Sequence, residues 1–151
     1  MEAVSTARGL DANRVGKGLW IGSRPTTGSA VARAGFDVLV LCAEEIQPRS
    51  REFPGVFVVH AGIGDGVPSE LELDTASWAA RGIARAVSDG QRVLVTCHMG
   101  LNRSGLVTAL ALHALTGQSG RDCVRQVQRA RRGALFNPHF RRLLERVPAS
   151  R

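Results

Sequence analysis

One short segment of this 151-residue sequence combines a cysteine, a glycine and an arginine at a spacing that suits phosphate chemistry. It reads Cys97-His98-Met99-Gly100-Leu101-Asn102-Arg103-Ser104-Gly105, between a β-branched apolar run at 92–97 and an apolar helical pattern at 104–116. A loop that enters a helix in this way directs several backbone N–H groups at one point, where the helix dipole also favours an anion. Glycine at position 100 would allow the backbone to curl around that anion.

The residue types in this segment predict nucleophilic catalysis on a phosphate. The N-terminal end of a helix stabilises a thiolate, so Cys97 could attack phosphorus. Arg103 could donate two N–H groups to phosphate oxygens and balance the charge of an in-line transfer. The spacing alone is not specific, because Cys123 also has an arginine six residues later, Arg129. Cys123 lies in an amphipathic helical pattern with no strand before it, so we interpret it as a buried, inert thiol.

The elements that must position this segment are short apolar runs that alternate with helical patterns. Strands are predicted at 18–22, 37–43, 56–62 and 92–97, and helices at 29–35, 69–88, 104–116, 120–132 and 138–147. This order predicts an α/β fold, a single three-layer domain over 1–151 with a central, mostly parallel sheet of four or five strands flanked by helices. Ligands of such sheets bind beyond the carboxyl ends of the strands, where the Cys97 segment is expected.

Cleavage of a phosphate ester also requires a proton for the leaving group, and Asp65 is the candidate donor. It follows the third predicted strand, so it should lie at the same edge of the sheet as Cys97, and the glycines on both sides of it permit loop movement. A structural turn aspartate is the alternative interpretation. Glu44 and Glu45, after the second predicted strand, could also reach the site.

The sequence VLVTCHMGLNRSG, residues 93–105, resembles the signature loop of the cysteine-dependent protein tyrosine phosphatase superfamily, in particular its compact, bacterial-type dual-specificity branch. The resemblance implies that Cys97 forms a thiophosphate intermediate, that Arg103 binds the phosphoryl group and that Ser104 aids release of the thiolate. Thr96 stands where the family usually has histidine; it would support the loop but stabilise the thiolate less. The resemblance also implies a substrate-binding loop formed by His98, Met99, Gly100, Leu101, Asn102 and Arg103.

The resemblance extends over about 18–147, and it suggests roles for two further residues. Asn137, with Phe140 and Leu144, is similar to the family's C-terminal helix motif, whose asparagine braces the phosphate loop. A helix N-cap is an equally good interpretation of Asn137. Some relatives also have a cysteine that forms a reversible disulfide with the nucleophile, which makes Cys42 a candidate redox partner of Cys97. The alternative for Cys42 is a small, buried apolar side chain.

The charge of the chain is concentrated near its C-terminal end. The net charge is +7, and it arises within residues 121–151, which contain nine arginines and only two acidic residues. On the predicted 120–132 helix four arginines fall on one face, opposite Val124 and Val127, which predicts a solvated face; a docking face for acidic phosphosubstrates is the alternative. These four are Arg121, Arg125, Arg129 and Arg132.

Several protein classes are disfavoured by composition. No apolar run is long enough to span a membrane, the first 18 residues do not resemble a signal peptide, and three cysteines do not make a disulfide framework. We therefore predict a cytoplasmic protein that does not bind membranes. No Cys or His pairs have metal-ligand spacing, so we predict neither a metal site nor a cofactor. The oligomeric state is left open.

The predicted function is hydrolysis of phosphomonoesters on phosphorylated proteins, at phosphotyrosine and also at phosphoserine or phosphothreonine. The loop lacks the paired lysines of the superfamily's phosphoinositide phosphatases, and no insertion could build a deep phosphotyrosine pocket. One alternative is an RNA 5′-triphosphatase or polyphosphate phosphatase of the same fold, which the basic C-terminal segment would suit. Nucleic acid is disfavoured as a partner because Phe136 alone stands near the arginines to stack on bases. A non-catalytic phosphate-binding module is the second alternative.

Overall fold

The computed structural model describes residues 9–25, 28–43, 45, 47 and 53–150. Its strands and helices follow the predicted order, with one additional strand at the start. The elements are β1 Ala12–Gly16, β2 Leu19–Gly22, α1 Gly28–Arg33, β3 Val38–Leu41, β4 Phe57–His60, α2 Glu70–Ser88, β5 Val93–Thr96, α3 Arg103–Thr116, α4 Gly120–Ala130 and α5 Pro138–Glu145.

The strands form one five-stranded sheet in the order β1-β2-β5-β3-β4. Strands β2, β5, β3 and β4 are parallel, and β1 pairs antiparallel with β2 at the edge. Each of β2, β3 and β5 is buried along its whole length, which is why their sequences are continuous apolar runs. The predicted mostly parallel sheet is confirmed. Strand β1 was not predicted because its residues, ANRVG, alternate between buried and exposed positions and contain no apolar run.

Two apolar layers cover the two faces of the sheet, because successive residues of a strand point to opposite faces. Val38 and Val40 of β3 pack in the larger layer, together with Ile83 of α2 and Val107 of α3. Leu39 and Leu41 pack in the smaller layer with α1. The predicted three-layer arrangement is therefore confirmed. Within the described part of the chain, no helix combines the length and apolarity needed to cross a bilayer.

The helix ends bring the functional segments to the carboxyl edge of the sheet. Ser69 and Glu72 form a capping box at the start of α2, with hydrogen bonds of 3.1 and 2.9 Å. Helix α3 begins at Arg103, directly after the cysteine loop. Helix α4 ends at Ala130, before the predicted boundary at 132, because the backbone of Arg131 is extended.

Candidate active site

The segment from Cys97 to Arg103, here called the cysteine loop, leaves β5 and enters α3 beside the turn that follows β2. Gly100 has a left-handed backbone with φ of 74°. A Cβ at this position would overlap the backbone of Gly22 and Ser23. Glycine is therefore required at position 100 for both its conformation and its close approach to the chain beneath it.

The sulfur of Cys97 lies next to a hydroxyl group. Cys97 is 3% exposed, and its Sγ lies 3.2 Å from the Oγ of Ser104, which is fully buried in the first turn of α3. A hydroxyl at this distance can donate a hydrogen bond to a thiolate. The geometry therefore allows Ser104 to stabilise the sulfur whenever it carries negative charge.

The guanidinium of Arg103 lies in the site and forms an ion pair with a carboxylate. Its Nη1 donates to Glu45 Oε2 at 2.6 Å and lies 3.4 Å from the carbonyl oxygen of Ile63. Burial opposes the charge on Arg103, but the bond and charge of Glu45, with Cys97 and Asp65 nearby, raise the pKa of Arg103. The same hydrogen bond lowers the pKa of Glu45. Glu45 thus orients the guanidinium and leaves its other edge for a ligand.

Asp65 is held at the site by two asparagine side chains. Its Oδ2 accepts a hydrogen bond from Asn102 Nδ2 at 3.1 Å, and its Oδ1 accepts one from Asn137 Nδ2 at 2.9 Å. Asn102 also accepts a bond from the backbone N–H of Asn137 at 2.9 Å. The structure thus places Asp65 at the carboxyl edge of the sheet with Cys97 and Arg103, as predicted, but tied to its neighbours rather than free. Glu44, the other acidic candidate besides Glu45, lies outside the described residues.

The loop that carries Asp65 is anchored at further points. The N–H of Ile63 bonds to the carbonyl of Cys42, and the N–H of Gly64 bonds to Glu72 Oε2 at 2.7 Å. The carbonyl of Gly66 accepts a bond from Asn137. Backbone hydrogen bonds from Ser69 and Gly64 lower the pKa of Glu72, so this carboxylate remains charged as it holds the loop.

Asn137 is the helix N-cap that the sequence offered as one interpretation, and its side-chain amide holds the loop of Asp65 rather than the cysteine loop. Its Oδ1 accepts bonds from the N–H groups of His139 and Phe140, which is the geometry of a helix N-cap for α5. Its Nδ2 meanwhile holds Asp65 and Gly66. The side chain therefore links the start of α5 to the loop that carries the candidate acid.

Residues 131–137, here called the support segment, hold the cysteine loop from behind. Arg131 donates from Nη2 to the carbonyl oxygen of Met99 and from Nε to that of Gly100, both at 2.8 Å. The N–H of Leu135, whose φ is 60°, bonds to the carbonyl of Leu101 at 2.9 Å. Across a trans peptide the next N–H points away from each carbonyl. Three consecutive N–H groups, at positions 100–102, therefore point away from the support segment, to the side on which an anion would bind.

Arg131 is itself fixed by the N-terminal part of the fold. Its Nη1 and Nη2 form a bidentate pair with Asp11 at 3.1 and 2.9 Å, and Nη1 donates to Asn13 Oδ1 at 2.8 Å. The Arg131 side chain is 8% exposed and that of Asp11 is 68% exposed. The hydrogen bond from Arg131 lowers the pKa of Asp11. All five N–H donors of the guanidinium are used, and the single ammonium group of a lysine could not reach these acceptors together.

Thr96 supports the neighbouring strand rather than the cysteine loop. Its Oγ1 donates to the carbonyl of Val40 in β3 at 2.9 Å and accepts a bond from Gln47 Nε2 at 2.8 Å. Gln47 in turn accepts the backbone N–H of Ala43 at 2.8 Å. Thr96 and Gln47 thereby fix the end of β3, from which Glu45 reaches Arg103.

The two cysteines at the strand ends are close neighbours in register. Leu41 of β3 pairs with Thr96 of β5, so the following residues, Cys42 and Cys97, come next to each other, and the N–H of Cys42 bonds to the carbonyl of Thr96. Burial, together with the charge of Cys97, raises the pKa of the Cys42 thiol. Disulfide formation with Cys97 stays a prediction. Burial also raises the pKa of Cys123 to about 11, in keeping with an unreactive thiol.

The remaining loop residues form the rim. His98 and Met99 are exposed, Leu101 is half-buried, and the carbonyl of His98 accepts the N–H of Arg24. Among the described residues no cluster of three or more Cys, His, Asp or Glu side chains could bind a metal ion. Of the four arginines predicted on one helix face, Arg121, Arg125 and Arg129 are exposed on α4, and Arg132 is exposed but lies beyond the end of that helix.

Sequence reasoning missed Arg131, Glu45 and Gln47 as parts of the site. The sequence did indicate that Arg131 is buried: at 100° per residue it falls beside Val124 and Val127, on the apolar face of the predicted 120–132 helix. A buried arginine needs hydrogen-bond or ion-pair partners. Glu45 was considered only as a proton donor. Gln47 had no signal, because its contacts depend on the packing of β3 against β5.

Comparisons with known proteins agree with this fold. The sequence matches no protein-family model and no curated protein. A mouse dual-specificity phosphatase, solved with zinc tungstate, superposes with a TM-score of 0.78 and 28% identity, covering 95% of this chain and 89% of that one. Human DUSP28 gives 0.76 and 28%, covering 95% of each chain. Tk-PTP in its active form gives 0.73 and 28%, covering 89% of this chain and 96% of its own. The chain has a dual-specificity phosphatase fold, and this likeness suggests phosphatase activity.

Proposed function

We propose that this chain hydrolyses phosphomonoesters on phosphorylated proteins through a cysteine-bound phosphate, at phosphotyrosine and also at phosphoserine or phosphothreonine. The observation that carries the proposal is the cysteine loop itself. Cys97 Sγ lies beside Ser104 Oγ, three backbone N–H groups point to the anion side of the loop, and Arg103 stands beside them. This arrangement suits a phosphoryl group whose charge must be balanced without a metal ion.

In the first step, the Cys97 thiolate attacks phosphorus and the bond between phosphorus and the ester oxygen breaks. Asp65 gives its proton to that oxygen as it leaves. The amide hydrogen bonds from Asn102 and Asn137 to the two oxygens of Asp65 hold this carboxyl group in position at the site. Arg103 and the loop N–H groups hold the equatorial oxygens during the transfer.

In the second step, water attacks the phosphorus of the thiophosphate and gives a proton to the Asp65 carboxylate. The sulfur–phosphorus bond breaks, inorganic phosphate is released and the thiolate returns. Ser104 Oγ, 3.2 Å from the sulfur, donates a hydrogen bond to the developing thiolate. The enzyme ends in its starting protonation state.

A protein substrate is favoured over RNA by the rim of the site. His98, Met99 and Leu101 form it and include no phenylalanine, tyrosine or tryptophan, and the exposed Phe136 of the support segment is a single aromatic side chain, whereas successive bases stack on several. A purely binding module needs neither a buried thiol nor an acid at this position, which favours an enzyme. We also keep four predictions from the sequence. The chain is a bacterial-type dual-specificity phosphatase, it forms a single domain over 1–151, it is cytoplasmic, and it acts without a cofactor.

The test measures release of phosphate in the presence of a metal chelator. We expect hydrolysis of p-nitrophenyl phosphate and phosphotyrosine peptides, inhibition by vanadate, and loss of turnover in Cys97→Ser but not in Cys123→Ser, which changes a buried thiol outside the site. Phosphate binding without turnover of any monoester would contradict the proposal. Faster release of the γ-phosphate from triphosphorylated RNA than from phosphopeptides would favour the RNA alternative.

A further inference from the structure

A shallow groove runs between the loop after Asp65 and helix α5. Its volume is about 180 Å³. We call it the α5 groove, and its lining residues are Val67, Pro68, Leu73, His139, Arg142, Leu143 and Arg146. Nothing in the proposed chemistry uses these side chains.

The α5 groove lies next to the loop that carries Asp65, and Asn137 links that loop to the helix that forms the groove. Asn137 holds Asp65 and Gly66 with its Nδ2 and caps α5 with its Oδ1. Val67 follows two residues after Asp65, so their Cα atoms are at most about 7 Å apart in an extended chain. An extended peptide with its phosphate in the cysteine loop would therefore reach the groove within about two to four residues.

Among the described residues, no acidic side chain pairs with the arginines at the rim of the groove. Within the part of the chain that the structure describes, Arg146 makes no side-chain hydrogen bond or ion pair, and the guanidinium of Arg142 contacts only His139 Nδ1, at 3.3 Å. No carboxylate lines the groove. Glu145 also lies on α5, but it pairs with neither arginine. Two guanidinium groups are thus available to an acidic ligand.

The floor of the groove identifies the kind of ligand. Val67 is 73% exposed, and Pro68, Leu73 and Leu143 add apolar surface. The lining contains no phenylalanine, tyrosine or tryptophan, so stacking of nucleic-acid bases is not favoured. Apolar contacts flanked by unpaired arginines fit a peptide in which acidic residues accompany the phosphorylated residue.

From this geometry we infer that the α5 groove is a specificity subsite for acidic phosphopeptides, with Arg142 and Arg146 binding carboxylates two to four residues from the phosphorylated residue. This inference rests on the proposed phosphatase function. It places substrate recognition on α5 rather than on the α4 arginines, which stand on the other helix.

The experiment compares kcat/KM for phosphotyrosine peptides that differ only in Glu or Gln at positions two to four residues before or after the phosphotyrosine. We expect the wild-type protein to prefer the Glu peptide on one side by about three- to tenfold. The preference should disappear in the double variant Arg142→Gln, Arg146→Gln. It should also weaken at about 1 M salt, where the Debye length is about 3 Å.

The matched control is Arg121→Gln, Arg125→Gln, which removes the same charge from exposed positions of α4 that do not line the groove. Its Glu-to-Gln ratio should equal that of the wild type. Equal use of Glu and Gln peptides by an active wild-type enzyme would overturn this inference alone, whereas absence of any hydrolysis, including p-nitrophenyl phosphate, would overturn the proposed function as well. A larger effect of the α5 variant on triphosphorylated RNA than on peptides would assign the groove to RNA instead.

Discussion

At the scale of single residues, Arg131 connects three parts of the chain that are far apart in sequence. Its guanidinium binds two carbonyl oxygens of the cysteine loop and the side chains of Asp11 and Asn13. It donates nothing toward the anion side of the loop. Arg131 is therefore a positioning residue, which acts on the reaction through the orientation of the loop peptides.

We expect Arg131→Lys to lower kcat/KM for p-nitrophenyl phosphate by about 10- to 100-fold, since one ammonium cannot bridge both carbonyls and Asp11 together. The affinity for vanadate should fall in parallel, because the loop N–H groups lose their common direction. The control is Val124→Ala, a destabilising change on the buried face of α4, the helix that precedes Arg131, which leaves the loop contacts intact. If both variants lose stability but keep wild-type kinetics while folded, Arg131 has only a structural role.

The pair between Arg131 and Asp11 also predicts a pH dependence of stability. The pKa of Asp11 is lower in the folded protein than in the unfolded chain, so ionised Asp11 stabilises the fold. This stabilisation is complete above the usual carboxyl pKa of about 4 and is lost as the pH falls through the lower pKa of the folded protein. The difference in free energy of unfolding between wild type and Asp11→Asn should therefore be largest near neutral pH and shrink below about pH 4. Denaturant titrations across this range measure it. A difference that grows on acidification would show that the pair does not stabilise the fold.

Ser104 is expected to act on the second chemical step. Ser104→Ala should slow hydrolysis of the thiophosphate by about 10- to 100-fold, since a hydrogen bond to the departing thiolate is lost. Rapid-mixing kinetics should then show a burst of p-nitrophenol before a slow steady state. The control is Thr108→Val, four residues along α3, whose buried hydroxyl has no hydrogen-bond partner among the described residues. A slower first step without a burst would place Ser104 in the first transfer instead.

At the scale of elements, the support segment and the loop after Asp65 meet at Asn137, so capping of α5 and positioning of the acid can be separated. Asn137→Ser keeps an N-cap oxygen but loses the two Nδ2 bonds, whereas Asn137→Ala loses both functions. We expect the serine variant to retain most of the stability, with the alanine variant about 1 kcal/mol less stable than serine.

Both Asn137 variants should lose activity on alkyl phosphates more than on p-nitrophenyl phosphate, whose leaving group needs less help from an acid. The two measurements, unfolding by denaturant and the ratio of alkyl to aryl turnover, are independent. A serine variant with a wild-type ratio would show that Asn137 is a cap and no more.

The elements also show what the sequence could and could not predict. Cys97, Gly100 and Arg103 were identified because strand, loop and helix follow one another along the chain, and the geometry of such a loop is local. Arg131 contacts Gly100 across 31 residues, so its role depended on the packing of α4 against β1 and the loop. Its place beside Val124 and Val127 in the helical pattern indicates burial, but the pattern does not show which groups its guanidinium binds.

At the scale of the whole molecule, the parallel strands bring the candidate nucleophile, acid and redox cysteine to one edge. Cys42 follows β3, Asp65 follows β4 and Cys97 follows β5, and these three strands are adjacent in the sheet. The basic C-terminal elements α4 and α5 come to the same edge at their ends, through Arg131 and Asn137. The arginine of the site itself, Arg103, belongs to residues 1–120, whose net charge is zero.

Such a site should couple anion binding to the stability of the entire fold, because the cysteine loop joins β5, α3 and the support segment. Inorganic phosphate at about ten times its dissociation constant should stabilise the folded protein by about 1.4 kcal/mol, which raises Tm by about 3–6 °C in a domain of this size. Cys97→Ser should show the same shift, since it retains the loop N–H groups and Arg103, whereas Arg103→Ala should show little. Arg125→Ala, an exposed arginine on α4, serves as the control for nonspecific binding of phosphate. If phosphate raised the Tm of Arg103→Ala as much as that of the wild type, phosphate would bind elsewhere and the cysteine loop would not be the anion site.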